Sequence, residues 1–176
     1  MTTTENQTIR SLLLDAFARI EEQVASAVAD LDPEDARWRP DRDANPVGWL
    51  LWHLTRVMDD HVAELAGVEQ AWTAQGFAEV FALPFPRETV GYGQSSDEVA
   101  AFRADPAEIL RYHRATQELA RGHLSGLTAA GLARVVDENW DPPVTEAVRI
   151  MSVLGDATAH IGQAQYVLGL LERRAG

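Results

Sequence analysis

Apolar residues return at intervals of three and four along four stretches of this chain, a spacing that predicts four long helices. The first runs from about Thr8 to Asp30 on Ile9, Leu12, Leu13, Phe17, Ile20, Val24 and Val28. The second opens at Asn45-Pro46, where asparagine is expected to cap the helix and proline to take its first position. It continues through Trp49, Leu50, His53, Leu54, Val57, Met58 and Leu65 to Gly67, a glycine suited to a left-handed stop. The third opens at Asp105-Pro106 and carries Ile109, Leu110, Tyr112, His113, Leu119 and Leu124. The fourth starts near Thr145, which serves as its cap, and reaches about Arg173.

The connections are long. Asp32-Pro33 predicts a single turn, and Arg37-Trp38-Arg39-Pro40 an irregular connector, because proline disfavours helix in the residue before it. Val68 to Asp105 scatters aromatics among glycines and prolines, which reads as a crossover with short helical turns; a linker would be poorer in aromatics. Within it, Ser95-Ser96-Asp97-Glu98 has the form of a capping box. Gly126 to Pro143 forms another connector. No stretch shows a strand alternation, and no internal repeat is visible. The expected architecture is all-α: a four-helix bundle with long crossover connections, formed by a single domain over residues 1–176.

Composition narrows the chemistry. The chain has no cysteine, which excludes disulfides, cysteinyl zinc sites, iron–sulfur clusters and a cysteine nucleophile. All 15 basic residues are arginine, which removes a lysine Schiff base and a P-loop lysine. The net charge of −12 argues against nucleic-acid binding, since a phosphate backbone needs a basic face. The apolar runs are interrupted by Asp, His, Arg or Gln, so none reads as a membrane span. The polar start, Met1 to Gln7, lacks the apolar segment of a signal peptide, and a cytoplasmic location is expected.

Asp156-Ala157-Thr158-Ala159-His160 concentrates the remaining chemistry. Four residues apart on a helix, Asp156 and His160 point within about 40° of each other, beside the apolar stripe of Val153, Ala157, Ala164, Val167 and Leu171. A carboxylate placed there needs a partner. A divalent metal is one; a hydrogen-bonded carboxylate–imidazole pair is the other. A third ligand could come from the second helix, where His53 lies at the edge of the apolar face and His61 nearer its centre. The two are eight residues and about 12 Å apart, so they cannot share one metal, and periodicity leaves both open, each also readable as a satisfied core histidine. Asp60 and Glu64 project in nearly the direction of His53, towards the same cavity or towards solvent. His113 and His123 carry no catalytic expectation. Gly155, Gly162 and Gly169 recur every seven residues opposite His160, which predicts close packing against another helix, within the bundle or across a homodimer. Trp49, Trp52, Trp72, Trp140, Phe81 and Phe85 are expected in the core, or as walls of a pocket.

Asn45-Pro46-Val47-Gly48-Trp49-Leu50-Leu51-Trp52-His53-Leu54 resembles the second helix of the DinB-like superfamily, and Ser152 to Gln163, ending His160-Ile161-Gly162-Gln163, resembles its fourth. Trp140-Asp141-Pro142-Pro143-Val144-Thr145 is similar to the actinobacterial branch of mycothiol S-transferases and the metal-binding domain of mycothiol-dependent maleylpyruvate isomerase. The resemblance implies one divalent metal inside the bundle, held by His53, Asp156 and His160. Asp156 departs from the histidine or glutamate common at that position, and Ile161 from a frequent arginine. The implied activity is a metal-dependent thiol S-transferase that activates mycothiol for attack on an electrophile, with zinc the leading metal and nickel, iron or manganese as alternatives. Asp60 or Gln163 would orient ligands. The competing expectations are a non-catalytic metal-binding or stress-response dimer and a metal-assisted hydrolase.

Overall fold

A computed structural model describes residues 3–175; Met1, Thr2 and Gly176, the ends of the expected domain, lie outside the described residues. Four long helices form the bundle: α1 (Thr3–Val28), α2 (Val47–Ala66), α6 (Pro106–Ser125) and α8 (Glu146–Ala175). Helix α2 packs on α6 and α8, and α1 closes the ring against the same two. Shorter helices fill the connections: α3 (Ala71–Ala74), α4 (Phe77–Phe81) and α5 (Ser96–Ala101) in the crossover, and α7 (Ala129–Leu132) after α6. Among the described residues no helix is long and apolar enough to cross a membrane.

Several predicted helix ends are present. Ser95 and Glu98 form a reciprocal capping box on α5, and the Asp105 side chain accepts from the Ala107 N–H with Pro106 behind it. Asp32 Oδ1 accepts from the Glu34 and Asp35 N–H groups and starts the expected single turn, a 3₁₀ turn at Asp35–Arg37. Gly67 ends α2 at φ 67°. Thr145 Oγ1 accepts from the Val148 N–H at the start of α8.

Other expectations are corrected. Asn45 does not cap α2. Pro46, extended at ψ 158°, holds the cap position without a side-chain bond, and its carbonyl accepts the first helical bond from Leu50. Helix α1 begins five residues before Thr8, in a polar segment with no apolar rhythm; Asn6 Oδ1 there accepts from Ala129 N–H. A two-stranded antiparallel ribbon, β1 (Val135–Asp137) and β2 (Val144–Thr145), interrupts the connector into α8, against the expectation of no strand. Strands this short hold too few residues for an alternation to register.

The core is one apolar cluster drawn from all four long helices and the crossover, with Trp52, Trp72, Phe81 and Phe102 packed ring to ring. Trp140 is not part of it and stands exposed on the ribbon. Among the described residues the glycine series on α8 has no close packing partner: beyond the helix's own neighbouring backbone, a Cβ at Gly155 or Gly162 would meet no atom within 4 Å, and one at Gly169 would meet only Arg173 of the same helix.

His113 is a fully buried core histidine. Thr55 donates its hydroxyl proton to the Leu51 carbonyl, so it accepts from His113 Nδ1–H at 2.9 Å, and the Gln117 amide donates to Nε2 at 3.2 Å. Both ring nitrogens are satisfied only in the neutral form, and burial lowers the pKa from 6.5 to about 3. A depressed folded-state pKa adds stability that is fully present above the unfolded value and lost as pH falls. Between about pH 6.5 and 3, wild-type stability should therefore decline by up to ~1.4 kcal/mol per pH unit from this residue. Urea unfolding of wild type and His113→Gln across that window checks it: a difference that does not change with pH refutes the assignment.

Candidate metal centre

His53 on α2 and Asp156 and His160 on α8 meet where the two helices pack. Each offers one ligand atom, and these atoms all lie within 4.8 Å of one another. The His53 and His160 rings stand edge to face at 4.7 Å. His61, two turns along α2, is not in the group; it faces Asp60 at 3.9 Å.

The protonation pattern follows from the other contacts. His53 Nδ1 lies 2.5 Å from the Val90 carbonyl and must donate to it, which leaves the lone pair on Nε2. His160 Nδ1 donates to Gln163 Oε1 at 2.9 Å, so its lone pair is also on Nε2, and that nitrogen faces Asp156 Oδ1 at 3.5 Å. Asp156 Oδ2 is buried with no hydrogen-bond partner. With His160 neutral, its Nε2 lone pair and the Asp156 oxygen are two acceptors in opposition, and His53 Nε2 adds a third. A proton on His160 Nε2 pairs it with Asp156 alone; a cation in the middle satisfies all three, and the donor set suits a divalent metal.

Burial lowers the His53 pKa, with the neighbouring His160 acting in the same direction and the Val90 carbonyl and Asp156 opposing. The Asp156 carboxylate raises that of His160, with Gln163 adding to it and burial opposing. Gln163 thus sits where an orienting partner of His160 belongs. Asp60 makes no hydrogen bond to the three residues; its Oδ1 accepts from the Gln70 amide at 2.7 Å. Glu64 is exposed. His123 bonds Glu146 at 2.6 Å, where Arg134 also binds, and ties α6 to the start of α8.

The crossover supplies parts of the site that periodicity did not reveal. Trp49 stacks on His53 at 4.7 Å, nearly parallel, and its indole N–H donates to Gln94 Oε1. Tyr92 stands edge-on to the same ring at 5.1 Å and is otherwise exposed. Gly91, between Val90 and Tyr92, has φ 106°, and a Cβ there would lie 2.6 Å from His53 Nδ1 and 3.0 Å from Trp49. Gly91 is needed twice over, for its backbone conformation and for the approach to the imidazole. The only sequence signal was the Gly91-Tyr92-Gly93 triplet, which marks a turn without saying what it touches. Gly91→Ala should push the Val90 carbonyl off His53 and weaken metal binding by about 10–100-fold, the usual effect of losing such a partner. Metal titration by calorimetry measures it; unchanged affinity would show that this clamp does not orient His53.

A helical bundle with two histidines and a carboxylate converging between two of its long helices defines the class. The comparisons specify it: residues 16–163 match the DinB superfamily, and the chain belongs to that superfamily. It is also similar, with a TM-score of 0.83 and 30% identity over 95% of each chain, to a structure described as a conserved protein of locus from Enterococcus faecalis. No curated protein matches the chain.

Proposed function

We propose that this protein is a divalent-metal-dependent thiol S-transferase, with His53, Asp156 and His160 as ligands and mycothiol as the thiol. The observation that carries the reading is the convergence of three ligand atoms within 4.8 Å of one another, on side chains whose other polar atoms are largely engaged. A divalent metal, zinc above all, would be held by these three residues and would lower the pKa of a coordinating thiol.

The chain's own residues do the rest. Val90 and Gln163 hold the two imidazoles in the tautomer that presents Nε2. Asp156 contributes a single negative charge, so the centre keeps a net positive charge with a divalent ion and favours a thiolate over a thiol. The Tyr92 phenol keeps its proton, its pKa raised by the partial burial of its ring against His53 and by the nearby Asp156 and Asp60 carboxylates, with Arg149 opposing, and is a hydrogen-bond donor available to the electrophile at the mouth. The absence of cysteine agrees with a thiol that arrives from outside, in a cytoplasmic setting.

Metal-loaded protein incubated with mycothiol and a chlorobimane electrophile should form the conjugate, and chelation or His53→Ala should stop it. A protein that keeps its metal yet conjugates none of several electrophiles is not a transferase. A second reading, a non-catalytic metal-binding dimer, draws on the exposed face of α8, where Val148, Met151 and Tyr166 flank the open glycines. Sedimentation at high concentration separates the two: a monomer removes the dimer.

A further inference from the structure

We propose that the cavity bounded by Trp52, Trp72 and crossover residues 83–89 binds one small neutral ring molecule, held by a hydrogen bond from the Trp52 indole N–H to an acceptor on the ligand. The site is separate from the metal centre, none of whose three residues lines it, and it stands whether or not the transferase reading does.

The cavity has a volume of about 160 Å³. An apolar cavity of about 150 Å³ takes one benzene molecule, so this space fits a single six-membered ring with a small substituent. Its walls suit that shape. Trp52 stands edge-on to Trp72 at 6.4 Å and tilted to Phe85 at 6.2 Å, and Ala78 and Leu83 extend the apolar lining. Aromatic rings pack edge to face at such separations, and a further ring adds to the set. The walls are also fastened to one another. The Trp72 indole donates to the Arg87 carbonyl at 2.8 Å, and Arg56 of α2 reaches the Thr89 carbonyl at 3.3 Å. A site held this way loses little freedom when a ligand enters.

Trp52 supplies the recognition, and it is an observation independent of the cavity's size. Its side chain is fully buried, yet its N–H has no hydrogen-bond partner among the described residues. The neighbouring indoles are paired, Trp49 with Gln94 and Trp72 with the Arg87 carbonyl. A buried donor left unpaired is costly. An ordered water would need about two to four polar partners of its own, and the lining has few to give. The Arg87 and Thr89 carbonyls are engaged, and the two charged residues of the lining, Glu79 and Arg87, pair with each other at 2.9 Å. A charged ligand would lose its water here without gaining a countercharge. A nitrile, carbonyl or ether on a ring brings the acceptor without a charge.

Benzonitrile, one ring with an acceptor and no donor, is the probe, and toluene the control without an acceptor. In NMR spectra of the metal-loaded protein, the Trp52 indole proton should move downfield and saturate as benzonitrile is added. Trp52→Phe keeps a ring and removes the donor. It should weaken benzonitrile by about fivefold, the effect of one neutral hydrogen bond, and bind toluene no less tightly than wild type does. Ala78→Leu fills the cavity from a partly buried wall and should abolish binding of both. If either variant fails to fold, the wild-type indole shift decides in its place. Wild type that binds neither ring overturns the site, as does binding undiminished in Ala78→Leu. Benzonitrile that binds without moving the Trp52 indole proton, or as tightly to Trp52→Phe, overturns the hydrogen bond and with it the choice of ligand.

Discussion

Asp156→Ala is expected to reduce the metal content of the purified protein to background and to weaken metal binding by more than about 100-fold, beyond the range of an outer partner. At alkaline pH, where His160 is neutral, the same substitution should leave the metal-free protein no less stable than metal-free wild type. Without metal and with His160 neutral, Asp156 Oδ1 opposes the His160 Nε2 lone pair at 3.5 Å and Oδ2 has no partner, so the carboxylate contributes little that its removal could take away; at lower pH the protonated His160 pairs with Asp156 and the substitution costs stability. Alanine is also the better helix former. Were Asp156 and His160 a structural ion pair, the sign would reverse: the metal-free variant would lose stability and added metal would change nothing. Thermal unfolding with and without zinc distinguishes the cases, because a ligand that binds the folded state raises wild-type stability with its concentration and should do nothing for the variant. Asp156→His restores the commoner ligand of the resembled family and should retain the metal.

Local signals exposed most of the frame and only part of the site. The four long helices were legible because each buries one apolar stripe, and several of their ends because Ser95, Asp105 and Gly67 act on backbone groups within a few residues. The β1–β2 ribbon was not, its strands being too short to show a period. Asp156 and His160 could be paired from their spacing. The choice between His53 and His61 could not be made from the face of α2, because it depends on where α8 crosses. The structure places His53 against the pair and His61 beside Asp60. The resemblance pointed to the same histidine. The Val90–Gln94 clamp lay beyond local reading: its contacts to α2 span 37 residues at His53 and 45 at Trp49. Asn45 has the residue type of a cap, but Pro46 takes that position.

What places that clamp is a buried polar unit, and Asp59→Ala should therefore destabilise the scaffold by about 3–5 kcal/mol, the usual cost of leaving a buried charge unpaired. Asp59 is fully buried. It accepts from the Ala71 and Trp72 N–H groups at 2.9 and 2.8 Å, which fastens the start of α3, and from the Tyr112 hydroxyl at 2.8 Å, which ties in α6. Arg56, 1% exposed, lies 3.8 Å from the carboxylate and reaches the Thr89 carbonyl, one residue before Val90. Burial raises the Asp59 pKa, against the opposing effects of the Trp72, Tyr112 and Ala71 hydrogen bonds and the Arg56 charge. A raised folded-state pKa means that this group adds stability below its unfolded value and loses it as pH rises through the folded one. The ionised carboxylate is thus a net cost at neutral pH, and an apolar replacement of the whole Arg56–Asp59–Tyr112 unit could be as stable. Its role is then positional: it fixes where the crossover lies on α2, and through Thr89 where the Val90 carbonyl meets His53. Removing Asp59 alone strands Arg56 and two backbone donors. Urea unfolding should show the loss of stability, and metal titration under native conditions should show weakened affinity in the folded fraction. A variant that unfolds earlier but binds metal as tightly as wild type would confine Asp59 to the core and detach it from the site.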